Sequence, residues 1–139
     1  MPDPVLQVAR TFARALDEED YATAIELLSP SCTYRIHSST FTGPEAIVAE
    51  YRKNGDAASE RFDSIAYESA VRREAGSTAV ITFTDRVRHA GRELVHTCEQ
   101  LVELDDAGLV RRIEHRDLPG EQEALDAFYR AVGLAGGDG

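Results

Sequence analysis

Residues 77–89 (STAVITFTDRVRH) and 92–104 (RELVHTCEQLVEL), joined by Ala90-Gly91, decide the architecture. A two-residue connection containing glycine predicts a β-hairpin and fixes its register. His89 then faces Arg92, Val87 faces Leu94, Asp85 faces His96, Phe83 faces Cys98, Ile81 faces Gln100 and Ala79 faces Val102. Side chains alternate between the two faces of a strand. One face therefore carries Ala79, Ile81, Phe83, Asp85 and Val87 against Leu94, His96, Cys98, Gln100 and Val102. The other carries Thr82, Thr84, Arg86 and Arg88 against Glu93, Thr97 and Glu99. The second row suits water. The first suits a core, except that it holds a carboxylate and an imidazole. Unpaired charge in a core is costly, so Asp85 and His96 must pair or line a cavity.

Working outward, the period of two continues on both sides of the hairpin. Four strands are expected, at about 62–73, 77–89, 92–104 and 109–117, separated by Ala75-Gly76, Ala90-Gly91 and residues 105–108. They form an antiparallel meander. Upstream the period is helical. Val5, Val8, Ala9, Phe12, Ala13 and Leu16 predict a helix over 4–17. Tyr21, Ala24, Ile25 and Leu28 predict a second, ended by Ser29-Pro30. Cys32, Tyr34 and Ile36 alternate with polar neighbours and read as a strand. Thr42-Gly43-Pro44-Glu45 reads as a capping box opening a third helix, with Ile47, Val48 and Tyr51 on its buried side. The polar residues 54–61 read as a loop or frayed helix end. A last helix is expected over 118–132, with Leu125, Phe128, Tyr129 and Val132 on one side, ended by Gly133 and the tail AGGDG. Its apolar stripe needs a surface, either across the sheet or on a partner subunit. The order is that of an α+β fold, with helices gathered on one side of a curved antiparallel sheet.

The 139 residues suit a single domain spanning 1–139. With 15 basic and 25 acidic residues the formal charge is −10, which opposes binding to nucleic acid and to anionic membranes. No apolar run approaches a membrane span, and the N-terminus lacks the pattern of a signal peptide. Cys32 and Cys98 have no metal or redox spacing and are expected to be reduced thiols of a cytoplasmic protein. His37, His89, His96 and His115 lack the close spacing of a zinc site, so no metal and no other cofactor is expected.

Pairing across residues 105–108 sets Leu104 opposite Leu109, Gln100 opposite Ile113, Cys98 opposite His115 and His96 opposite Asp117, unless a bulge shifts the register. Asp85, His96, Cys98, Gln100, His115 and Asp117 then share a concave face with Phe83 and Ile113. An Asp beside a His fixes its tautomer and raises its basicity, so His96 is the expected base and Asp85 its orienter. Tyr34 offers a phenolic donor. Plainer roles stand beside these. Asp85–His96 is equally a buried structural pair, Asp117 an N-cap for the last helix, His115 a pocket floor, Cys98 and Tyr34 core residues. Tyr67 faces inward only if the Ala75-Gly76 turn carries a bulge.

The stretches FARALDEEDYATAIELLSPSCTYRI, FTGPEAIVAEY and CEQLVELDDAGLVRRIEH resemble the nuclear transport factor 2-like superfamily, which includes the SnoaL-like polyketide cyclases. The resemblance spans about residues 5–117 and implies a cone with a small-molecule pocket between sheet and helices, in a homodimer formed through the outer sheet face. It implies no single activity. Where ketosteroid isomerases carry an Asp on the first strand and a Tyr on the first helix, this chain has Tyr34 or Ile36 and Thr11. Gln100 falls at the isomerase's acid donor. Asp85-Arg86-Val87-Arg88 lacks the Arg-x-Asp of limonene epoxide hydrolase. Asp117 and His96 are the nearest matches to the acid and histidine of the cyclases. The expectation is a pocket for a small hydrophobic ligand, with Asp85, His96 and His115 as catalytic candidates and Tyr34, Phe83, Cys98, Gln100, Ile113 and Asp117 as binding candidates. The chemistry would be metal-free acid–base isomerisation, dehydration or cyclisation. The rival reading is a non-catalytic binding or dimeric interaction domain.

Overall fold

Asp3 starts the first helix, α1 (Pro4–Asp17). Its carboxylate accepts the amides of Val5 and Leu6 at 3.0 and 3.3 Å, and Pro4 takes the first turn where no amide is needed. Asp20 caps α2 (Tyr21–Glu26) through Thr23. The computed structural model describes residues 3–134; the expected tail at 135–139 lies outside them. Strands β1 (Leu28–Ile36) and β2 (Ser39–Thr42) follow, then α3 (Pro44–Arg61), the meander β3 (Ser64–Arg73), β4 (Thr78–His89), β5 (Arg92–Leu104) and β6 (Val110–Asp117), and α4 (Glu121–Ala131). The sheet runs β2-β1-β6-β5-β4-β3.

The β4–β5 register is the expected one, with Asp85 opposite His96. Both turn residues, Ala90 and Gly91, have positive φ (52° and 76°), as a tight hairpin of this hand requires. Other expectations need correction. The sheet is mixed, because β1 lies parallel to β6. The short strand β2 is additional to the strands expected from the sequence. Leu28, Ser29 and Pro30 belong to β1 and not to a helix end. No capping box opens α3: Thr42 ends β2, and Gly43 caps with φ 92° and no side-chain bond. The polar residues 54–61 continue α3 to Arg61, supported by i,i+4 pairs such as Asn54–Glu50.

The β5–β6 register differs by two residues from the expected one. Asp105 and Leu109 close a shorter loop, with the Asp105 amide donating to the Leu109 carbonyl at 2.8 Å. Arg111 is then an extra residue, since Glu103 pairs with Arg112 and Leu104 with Val110. The bulge lets both arginines reach the Glu103 carboxylate, Arg112 at 2.8 Å. Each step slips the register by one. Together they preserve side-chain parity, so Cys98 faces Asp117, Gln100 faces His115 and Val102 faces Ile113.

The main core lies between the concave sheet face and the first helices. Phe12, Ile47, Ile81, Val102, Val110 and Ile113 are fully buried there. A second cluster joins Phe62, Val87, Phe128 and Tyr129, with Leu94 and Leu125 against it. Helix α4 thus covers the same concave face, at the end of the hairpin nearest Ala90.

Candidate functional site

Between the two cores lies a cavity of about 250 Å³. Tyr34, Phe83, Asp85, His96, Cys98, Gln100 and His115 all line it. Ile113 does not: it is fully buried in the core, paired with Tyr34 across the parallel strands. Asp117 stands about half exposed at the rim. Tyr67 faces inward, because the β3–β4 connection sets it opposite Asp85. Tyr51 and Ala58 of α3, and Asp17 and Tyr21 near the α1–α2 junction, complete the wall. Small residues on α3 leave room; a methyl group at Gly55 would touch only the Tyr21 hydroxyl, at 3.7 Å.

Gln100 is 3% exposed and organises the floor. Its amide nitrogen donates to the Tyr34 hydroxyl at 2.9 Å and lies 3.3 Å from His115 Nδ1, while its oxygen accepts from the Tyr51 hydroxyl. The Tyr34 and Tyr51 rings stack at 4.9 Å with 3° between planes. On the far side of the imidazole, His115 Nε2 meets Asp117 Oδ1 at 2.8 Å, and His37 Nε2 meets Oδ2 at 2.8 Å. Asp117 therefore does not cap the last helix; Gly120 does, without a side-chain bond.

Solved structures share this architecture. A nuclear transport factor 2-like protein of Burkholderia pseudomallei is 15% identical, with a TM-score of 0.69 over 94% of this chain and 98% of its own. TerC, co-crystallised with polyporic acid, is 14% identical, with a TM-score of 0.69 over 94% and 99%. A Mycobacterium tuberculosis protein in complex with estradiol-17β-hemisuccinate is 12% identical, with a TM-score of 0.64 over 86% and 98%. The chain has the nuclear transport factor 2-like fold. No protein-family profile matches its sequence, and no curated protein does.

Within this nuclear transport factor 2-like cone the ionisable groups divide by environment. Burial pushes the Asp85 carboxyl up to about 6, and the nearby Asp17 charge adds to this while His96 opposes it. Asp85 and His96 interact through space; no hydrogen bond joins them. The expected Asp-oriented imidazole is found instead at His115. Burial lowers the pKa of His115, against the raising effect of its bond to Asp117. For Asp117 burial acts upward, yet the bonds from His115 and His37 outweigh it and hold the carboxyl below its ordinary value. Burial lifts the Cys98 thiol and the Tyr67 phenol to about 12, so both are neutral near pH 7. A neutral phenol can donate a hydrogen bond to a developing oxyanion, and a carboxylate near pKa 6 can move a proton at neutral pH.

Sequence reasoning passed over Tyr51 and His37. Tyr51 follows Ile47 and Val48 on a helix face and reads as core. His37 reads as solvated, because nothing local shows that the β1–β2 turn carries it to Asp117, eighty residues on.

Proposed function

We propose that this chain binds a compact, mostly apolar ligand bearing a carbonyl or hydroxyl group and performs acid–base chemistry on it, as an isomerase, dehydratase or cyclase. The cavity carries this reading: an apolar hollow with Asp85, Tyr34, Tyr67 and His115 converging on it. At about 250 Å³ it is smaller than the ~300–1,000 Å³ usual for drug-sized ligands, so the ligand is compact. Asp85, lifted by burial, takes the proton. Tyr34 and Tyr67 hold the substrate oxygen. Ligand complexes of two structures sharing the fold, with polyporic acid and with an estradiol derivative, support the ligand class.

A homodimer through the outer sheet face belongs to the same proposal. Val95, 42% exposed, stands on that face, and sedimentation tests the assembly.

The test begins with native mass spectrometry against a panel of compact ketones, enols and alcohols. Bound compounds are then assayed for turnover from about pH 4.5 to about pH 8.5. The expected rate rises through pH about 6, as Asp85 ionises, and then levels off. Asp85→Asn is expected to keep ligand and lose turnover. Wild-type turnover in that variant overturns the assignment of Asp85, and a ligand always recovered unchanged favours the binding domain.

A further inference from the structure

His37 opens the turn between β1 and β2, His115 lies on β6, and Asp117 closes that strand. Their donor atoms all fall within 4.8 Å of one another. Each imidazole presents Nε2 to a different oxygen of one carboxylate, both at 2.8 Å. The two rings meet edge to face at 5.4 Å. We propose that His37, His115 and Asp117 form a binding site for a single borderline divalent transition ion of the zinc class, at the rim of the cavity. This goes beyond the acid–base reading and does not depend on it.

Two imidazoles and a carboxylate suit such an ion, and three protein donors leave a coordination position for water or ligand. The site rests on firm supports. β1 and β6 are paired neighbours, and the two-residue β1–β2 turn holds His37 at φ 51°, a conformation few non-glycine residues adopt. Donors on tetrahedral zinc stand about 3.3 Å apart, given bonds of about 2.0–2.1 Å. The present contacts must therefore open by about half an ångström. His37 and Asp117 have that room, at 62% and 51% exposure, while His115 at 11% is the fixed member.

The second shell also fits. Coordination through Nε2 puts the His115 proton on Nδ1, which then needs an acceptor. The Gln100 amide is 3.3 Å away. Rotated by half a turn, it offers its oxygen to Nδ1 and to the Tyr34 hydroxyl, which then donates, and its nitrogen to the Tyr51 hydroxyl, which then accepts. One network thus serves both the protonated and the metal-bound rim.

Calorimetric titration of the chelator-treated full chain with zinc tests the proposal, with cobalt(II) absorption in the visible as a second readout. One equivalent is expected to bind, with the cobalt spectrum of a four- or five-coordinate ion. His37→Ala and Asp117→Asn are each expected to weaken binding at least about 100-fold, at or beyond the 10–100-fold typical of second-shell losses. His89→Gln, remote from the rim, should bind as the parent does. His37 is exposed, so its variant keeps the fold, which circular dichroism verifies. Absent or substoichiometric binding, or parental affinity in His37→Ala, overturns the site. No substrate is needed, so this outcome is separate from that of the acid–base proposal.

Discussion

The concave face of β4 and β5 is solid at both ends and hollow in the middle. At one end Ala79, Ile81 and Val102 are fully buried. At the other, Val87 and Leu94 pack under Phe62, Phe128 and Tyr129. Between them Phe83, Asp85, His96 and Cys98 line a cavity on the same alternating rows. Strand periodicity puts a side chain on this face at every second position, whatever its chemistry. The neighbouring helices decide which positions are packed and which stay open. Stability therefore resides at the ends, and the middle holds groups whose burial opposes folding.

The sharpest way to break this contrast uses two residues on one strand. Ile81→Ala is expected to cost about 2–5 kcal/mol, because the close-packed end cannot collapse around the void. Phe83→Ala removes more atoms yet is expected to cost less than half as much, because its ring borders space already open. Urea unfolding of both variants measures the ratio. Equal losses would show that the middle of the face is packed as tightly as its end.

The next effect has the opposite sign. Asp85 titrates at about 6 in the fold, against an ordinary value of 3.8. Below pH 3.8 both folded and unfolded forms hold the proton, and no penalty exists. As pH rises from 3.8 to 6 the unfolded chain ionises first, so stability falls. Above 6 the loss is constant, at about 3 kcal/mol for a shift of this size. Asp85→Asn should therefore stabilise the protein by about 2–3 kcal/mol at pH 8 and leave it nearly unchanged at pH 3.5. Melting curves at the two pH values decide. A gain equal at both would place its origin in packing and not in charge.

How far the sequence reveals this arrangement depends on whether a feature is local. The hairpin of β4 and β5 is readable to the residue, because two residues of turn chemistry set every pair in it. The β5–β6 pairing is not, because loop closure and the Arg111 bulge each move the register by one. The inward rows survive only because the two shifts add to an even number. Tyr67 is undecidable for the same reason, since a single residue in the β3–β4 connection reverses its face. The cluster of His37, His115 and Asp117 is invisible for a different reason. It depends on β1 lying parallel to β6, and a parallel neighbour leaves no turn signal between its strands.

The smallest expected effect concerns the turn that sets Asp85 opposite His96. Ala90 holds φ 52°, where its Cβ crowds the backbone, and its amide donates to Asp63 Oδ2 at 2.9 Å. Glycine relieves about 1–2 kcal/mol of that crowding and loses about 0.5–1 kcal/mol through greater freedom in the unfolded chain. Ala90→Gly should therefore stabilise by about 0.5–1 kcal/mol, at pH 3.5 and pH 8 alike, because no charge changes. That pH independence separates it from Asp85→Asn. A loss of stability would mean that the freedom glycine gains in the unfolded chain outweighs the crowding relieved at position 90. The Asp63 bond uses the backbone amide and survives in either case, so Asp63→Ala measures separately how much that side chain outside the hairpin holds the turn.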